Sequence, residues 1–520
     1  MRPGRTGGRH RPARRGRRRA FLVSLLVPAA AIGAWALRGP GERGGPSPTA
    51  SPSTPTRPSP VATVPTPTPT RPSPTPGPIN TAIAGLTTFR GNASRTYHGE
   101  GPVPSRPVVR WRYPASGAMC MRSTAGGETK LWCGTGWTGQ PNVLEHGDGT
   151  VEVRFGAYDG RYHFLEGRTG EPLRPDLVTG DLAKGSATSD PDGYPLYYAG
   201  SRDDLFRVVA LDRARPTVLW TLHGETSVPH PVWNDDWDGA ALVIDDHLFV
   251  GGENSWFYAV RLHRGYDRRG RVTVDPEVVA AVPGFDDALL RALGDTEVSI
   301  EGSVAFHEGV VYFANSGGLV QGWDVSDVLE GGDRVRRVFR FWAGDDVDAT
   351  VVIDEEGFLY VAAELQRFTP RALRVGQLMK LDPRRTRDPL VWSVPLTERG
   401  PDGLAGAWAT PALHRDEVYV ATHAGQLVAV DRAGGSVRWR IGLPGPTWSS
   451  PVVVDDVLIQ GDCGGVLHAY DLSRPRRPPP ELWSVRLDGC IESTPAVWHG
   501  WVFVGTRGGG FYGIADRRTG

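Results

Sequence analysis

The chain has 520 residues, with 67 Gly, 45 Pro and 39% hydrophobic residues, a composition that disfavours a mainly helical chain and favours turns and short strands. The net charge of zero hides an asymmetry: ten of the 58 basic residues are arginines within the first 38 positions, where there is no acid, so the rest of the chain carries 48 basic against 58 acidic residues. Such a body lacks the clustered positive charge that a phosphate backbone requires, which argues against a nucleic-acid partner.

In chain order, residues 1–19 form a basic segment, read as cytoplasmic. Ala20 to Leu37 is an apolar run broken only by Ser24, Pro28 and Gly33. A basic flank followed by such a run predicts a signal anchor or a signal peptide. The localisation expected from it is a single-pass membrane protein with its body outside the cytoplasm, or a secreted one if the chain is cut at Ala34-Trp35-Ala36. Arg18-Arg19 before Ala-Phe-Leu also has the form of a twin-arginine export motif. Residues 38–78 are dominated by Pro, Thr and Ser and read as a disordered stalk. Outside the cytoplasm an even set of cysteines is more often bridged than free, and closeness in sequence favours Cys120–Cys133 and Cys463–Cys490 over the two other connectivities.

From residue 79 to 520 the sequence repeats. Each unit has a small-residue run, a short apolar strand, a turn, a β-branched strand, a Gly turn, a third strand ending in Asp, and an aromatic strand after a loop. The clearest copies begin at Trp408, Trp448 and Glu492. First strands are expected near Pro141, Ser189, Pro231, Val304, Val351, Pro411, Pro451 and Pro495. This spacing predicts an all-β, eight-bladed propeller of four-stranded antiparallel blades, or seven blades if one weak copy is misread. The third unit is longer, and Asp286 to Leu293 within it reads as a short helix. The last unit lacks a fourth strand, whereas Val108 to Tyr113 precedes the first unit without one of its own. That N-terminal strand is expected to close the ring.

The repeats resemble the pyrroloquinoline quinone (PQQ) repeat, whose tryptophan-docking motif is Ala-x-Asp-x3-Gly-x3-Trp. Ala429, Asp431, Gly435 and Trp439 match it in full. Ala210, Asp212 and Trp220 match with Pro216 in place of Gly. The leader Thr87 to Gly101 also looks like the segment that opens many such proteins. The resemblance implies a docking role for these residues, and two classes of activity. One is quinoprotein dehydrogenases, holding PQQ and calcium on the propeller axis. The other is non-enzymatic propellers that bind proteins, such as the bacterial outer-membrane assembly scaffold. The chain has neither the adjacent Cys-Cys pair frequent in quinoprotein alcohol dehydrogenases nor a CxxCH haem site.

Two positions per blade are expected at one end of the axis. One lies before the first strand: Glu301, Asp348, Trp408, Trp448 and Glu492. The other lies in the turn after the second: Glu253, Asn315, Glu364, His423, Asp462 and Arg507. Clustered carboxylates suit a hard cation or a general base, and tryptophans suit a planar quinone or a sugar ring. Glu253, Asn254, Asn315, Asp345, Asp346 and Asp348 are the sharpest candidates for one shared ligand. Calcium would be held by Glu253, Asn315 and Asp346, and a catalytic group would come from Asp345, Asp346 or Asp348. Asn234 to Gly239 has the spacing of a calcium loop but reads rather as an acidic hairpin turn. The favoured function is a non-catalytic binding or scaffold module at the cell envelope, with envelope proteins or a small ligand as partner. The alternatives are a PQQ- and calcium-dependent dehydrogenase of alcohols or sugars, and a carbohydrate or cell-wall binder.

Overall fold

Alternating β-branched and small residues between Gly- and Asp-rich turns fold into short antiparallel strands, and these stack as eight blades in the computed structural model. It describes residues 82–517 apart from 126–127 and 475–476. The basic segment, the apolar run and the stalk therefore lie outside the described residues.

The innermost strands of blades 1 to 8 begin at Asn142, Thr188, Leu242, Ala305, Val352, Ala412, Val452 and Ala496. Seven begin within one residue of the expected positions. The third does not: it begins at Leu242, not near Pro231. Pro231-Val232-Trp233 imitates the start of a strand. Trp233, however, is left-handed (φ 84°), and Val232 N–H donates to Asn254 at 3.0 Å, which makes this stretch a loop. The expected hairpin at Asn234–Gly239 is corrected likewise, because that segment is the approach to the inner strand. The extra length of blade 3 holds the helix Asp287–Leu293, which Asp286 caps by accepting from Leu289 N–H.

Ring closure follows the expected route. Pro107–Tyr113 pairs antiparallel with Phe511–Asp516 and completes blade 8. Blades 3 to 7 are also tied by a belt two residues before their inner strands. Ala240 N–H donates to Ser303 Oγ, Ser303 N–H to Thr350 Oγ1, Thr350 N–H to Thr410 Oγ1 and Thr410 N–H to Ser450 Oγ, all at 2.9–3.0 Å. Each hydroxyl satisfies a buried amide of the preceding blade.

The docking tryptophans act between blades. Trp392, at the outer strand of blade 5, donates from its indole to the Arg432 carbonyl of blade 6 at 3.0 Å. Its ring covers Gly435, where a Cβ would lie 2.7 Å from it. Gly435 is also left-handed (φ 72°), so the motif's glycine is required twice over. Trp111 sits in the same way on Gly170 of blade 1.

The leader plugs the axis. Ser189 N–H donates to Thr87 O, and Thr88 reaches the Ala241 carbonyl. Arg90 donates to the carbonyls of Thr410 (3.0 Å) and Pro451 (2.8 Å), and Arg95 to that of Val304 (2.8 Å). Phe306 and Ile353 donate to Ala93 and Ser94, Gln140 accepts from Arg90 N–H, and Gly99–Glu100 pairs parallel with the inner strand of blade 8. All eight blades are thereby touched by one fourteen-residue stretch, Thr87–Glu100. Both arginines are fully buried; burial pulls their guanidinium groups down to about 9, so they remain charged at neutral pH.

The expected single-pass localisation is corrected. Among the described residues no helix is long and apolar enough to cross a membrane, and Ala20–Leu37, on which the expectation rested, lies outside them.

Candidate functional site: an axial pocket

Four residues before every inner strand the chain passes the axis, so each blade contributes one side chain to a ring: Thr138, Lys184, Asp238, Glu301, Asp348, Trp408, Trp448 and Glu492. All but Lys184 line one pocket of about 810 Å³, including its open mouth, with Phe89 of the plug also in its lining. Trp132 and Arg507 complete the wall. Trp132 stands on the hairpin Cys120–Ala125/Glu128–Cys133, whose ends are joined by the Cys120–Cys133 disulfide.

Trp137 reaches across the axis from blade 1. Its indole N–H donates to Glu301 of blade 4 at 2.9 Å, and its ring centroid lies 5.3 Å from that of Trp408 in blade 6. Trp408 in turn lies 5.2 Å from Trp448, giving a continuous aromatic wall. Trp408 N–H donates to Asp348 at 3.0 Å. Trp448 N–H donates to His423 Nδ1 at 3.1 Å. The Nδ1 of His423 is thus an acceptor, and its Nε2–H faces Glu364 at 3.2 Å. Burial pushes this imidazole down, in keeping with a neutral ring.

Charge is distributed unevenly around the ring. On one side Lys184 Nζ lies 2.7 Å from Asp236, 2.8 Å from Asp238 and 2.8 Å from Glu253, and Arg202 lies 2.8 Å from Asp236. Lys184 also sits 4.7 Å above Trp137. Three acids against two cations leave one carboxyl in excess. Burial pushes Glu253 well above its ordinary range, with Asp236 and Asp238 raising it further, while the carboxylates hold Lys184 well up. On the same side Arg507 pairs with Glu492 at 3.0 Å. On the other side Asp346 and Glu364 are buried and Glu301 and Asp348 half-buried, with the Arg367 guanidinium 3.9 Å from Asp346. Burial raises Asp346 to about 8 and the other three well above the carboxylate range.

The residues expected to share one ligand divide between separate settings. Glu253 joins the Lys184 cluster, whereas Asp346 and Asp348 join Glu364. Asn254 donates to Gly224 O and Tyr258 OH. Asp345 accepts from the amides of Arg367 and Phe368. Asn315 donates to Gly284 O and accepts from the amides of Gly317 and Leu319, so its polar atoms are engaged by backbone. A calcium set of Glu253, Asn315 and Asp346 is therefore not formed. Asp462 lies behind the ring with His468 at 3.0 Å.

Lys184 and Trp137 were missed by sequence reasoning, and Asp236 and Asp238 were noticed only within the Asn234–Gly239 run read as a hairpin turn. The usable signal was the small pair that follows every ring residue but Thr138: Lys184-Gly-Ser parallels Glu301-Gly-Ser, Asp348-Ala-Thr and Trp408-Ala-Thr.

The architecture defines the class: an eight-bladed β-propeller, with repeats that resemble the PQQ repeat. Residues 374–477 match the PQQ_2 family profile, described as "Outer membrane protein assembly factor BamB". No curated protein matches the chain. Among solved structures, it is similar to quinohemoprotein alcohol dehydrogenase from Comamonas testosteroni, at 12% identity over 84% of this chain and 81% of that one (TM-score 0.55). It is also similar to the quinohemoprotein alcohol dehydrogenase ADHIIG from Pseudomonas putida HK5, at 11% identity over 83% and 80% (TM-score 0.55). These likenesses show the shared fold.

Proposed function

We propose that this propeller is a non-catalytic binding module whose axial pocket holds a small ligand. The observation that carries the reading is the ring itself. The plug turns the axial channel into a blind pocket, and one side chain from each blade converges above it. A preformed cavity with aromatic walls and a few convergent polar groups is the usual form of a small-molecule site. The match of part of the chain to a family described as an assembly factor favours binding over catalysis.

The lining does not suit PQQ. That quinone carries three carboxylates, and the pocket meets them with Asp238, Glu301, Asp348 and Glu492. Arg507 is the cation among the lining residues, and it is already paired with Glu492. Asn315 is engaged by backbone. A carbohydrate is the second reading, favoured by the Trp408–Trp448 wall beside carboxylate acceptors.

The test is a thermal-shift panel on the full chain with glucose, n-butylammonium chloride, and PQQ with and without Ca²⁺, together with an electron-acceptor assay. A ligand that binds only the native state raises the melting temperature. The expected result is a shift with glucose or n-butylammonium that Trp448→Ala abolishes, with no acceptor reduction. Acceptor reduction that depends on PQQ would overturn the non-catalytic reading.

A further inference from the structure

Two blades carry the same carboxylate pattern. In blade 3, Asp236 and Asp238 stand six and four residues before the inner strand at Leu242, and Glu253 stands two after the second strand ending at Gly251. In blade 5, Asp346, Asp348 and Glu364 stand at the same offsets from Val352 and Ala362. In each trio, one carboxylate oxygen per residue lies within 4.8 Å of the other two.

The first trio is filled by the chain itself. The Lys184 ammonium, from the ring position one blade earlier, contacts all three carboxylates at 2.7–2.8 Å and rests on the face of Trp137. The second trio has no such lysine, because the corresponding position one blade earlier is Glu301. Its partners are otherwise uncharged or more distant. Trp408 and Ser316 donate to Asp348 at 3.0 and 2.9 Å, and Gln366 donates to Glu364 Oε2 at 3.0 Å, the oxygen that His423 also faces. The Arg367 guanidinium stands 3.9 Å from Asp346. Glu364 Oε1 and Asp346 Oδ1 have no hydrogen-bond partner, although the Glu364 side chain is wholly buried and that of Asp346 is only 9% exposed. Unpartnered buried carboxylate oxygens are costly, and a proton or a cation relieves them; in the blade 3 trio, where Asp236 Oδ1 and Asp238 Oδ1 also lack a hydrogen bond, the cation is Lys184.

We infer that Asp346, Asp348 and Glu364 receive the ammonium group of a small organic cation whose apolar part lies on Trp408 and Trp448. This rests on the axial pocket being a ligand site. An ammonium donating to three oxygens at ~2.8 Å sets them about 4.6 Å apart, which the trio's upper limit of 4.8 Å admits. The aromatic wall favours an organic cation over a strongly hydrated inorganic one. Lys184 displays the arrangement one blade pair away.

The experiment is calorimetric titration of the full chain at pH 8.5 with n-butylammonium chloride, 1-butanol, glucose and CaCl₂ in turn. The expected result is binding of n-butylammonium with no binding of 1-butanol. Asp346→Asn and Glu364→Gln should each weaken it at least tenfold. Trp408→Phe, which keeps an aromatic face but loses the N–H to Asp348, should weaken it less; it also serves as the readout if either carboxamide variant fails to fold. Equal binding of butanol, or unchanged affinity in Asp346→Asn, would overturn the inference. So would Ca²⁺ binding without amine binding, which would assign the trio to an inorganic ion. If glucose binds in a Trp448-dependent way and the amine does not, this inference alone falls. If none of the four binds, the pocket reading falls with it.

Discussion

The ammonium of Lys184 lies 2.8 Å from the carboxylate of Asp238, its neighbour one blade onward in the axial ring. Both side chains are almost wholly excluded from solvent, so this contact fixes the charge state of one half of the pocket. Removing one partner of a buried ion cluster leaves uncompensated charge behind. Lys184→Met is expected to cost about 3–5 kcal/mol of stability, read from denaturant unfolding. A loss below about 1 kcal/mol would show that the three acids take up protons freely in its absence.

The blade 5 acids should behave in the opposite sense. Asp346 is raised to about 8, chiefly by burial, with Glu301 and Asp345 raising it and Arg367 lowering it. A carboxyl raised in the folded state stabilises the fold when protonated, and that contribution is lost as pH rises through the folded value. Asp346→Asn should therefore raise the melting temperature by about 2 °C at pH 9 and change it little at pH 5. A variant equally destabilised at both pH values would contradict this account.

The plug makes a separate prediction. Arg90→Met removes the donors to the Thr410 and Pro451 carbonyls and leaves both facing an apolar chain. A loss of roughly 2–4 kcal/mol is expected, from two unsatisfied buried acceptors. Denaturant melts of the full chain at neutral pH measure it.

Gly435→Ala places a methyl against the Trp392 ring at a left-handed backbone position. Destabilisation of about 1–3 kcal/mol is expected. Gly442→Ala is the comparison, since a Cβ there meets nothing within 4 Å.

The Cys463–Cys490 bridge spans a sequence separation of 27. Replacing both cysteines with Ala should lower stability by about 3 kcal/mol through the entropy of the unfolded chain. Reduced wild-type protein, which has lost the Cys120–Cys133 bridge as well, should be destabilised further than this double variant.

The blades were legible because their signals are local. Val418-Tyr419-Val420 is a β-branched and aromatic run, as suits a strand buried on both faces, and Ala429, Asp431, Gly435 and Trp439 mark the turn and clip that follow. Closure was legible because Val108–Tyr113 was a strand without a unit. The site was legible only in part. Glu301, Asp348, Trp408, Trp448 and Glu492 could be aligned because each precedes a recognisable strand. Asp238 could not, because Pro231 gave a false strand start eleven residues too early. The pairing of Lys184 with a blade 3 cluster, and of Trp137 with Glu301 across the axis, depends on side chains far apart in sequence meeting at the ring centre. The plug carried no periodicity at all: Arg90 and Arg95 lie in a Gly-, Asn- and Ser-rich stretch, and their carbonyl partners come from three different blades.

Crystals of the full chain soaked with n-butylammonium chloride at pH 8.5 would show whether the axial pocket is a ligand site. The account predicts density between Trp408 and the blade 5 trio, with the nitrogen roughly 3 Å from Asp346, Asp348 and Glu364. A pocket still free of the amine at saturating concentration, or the amine bound only at the outer surface of the blades, would contradict it.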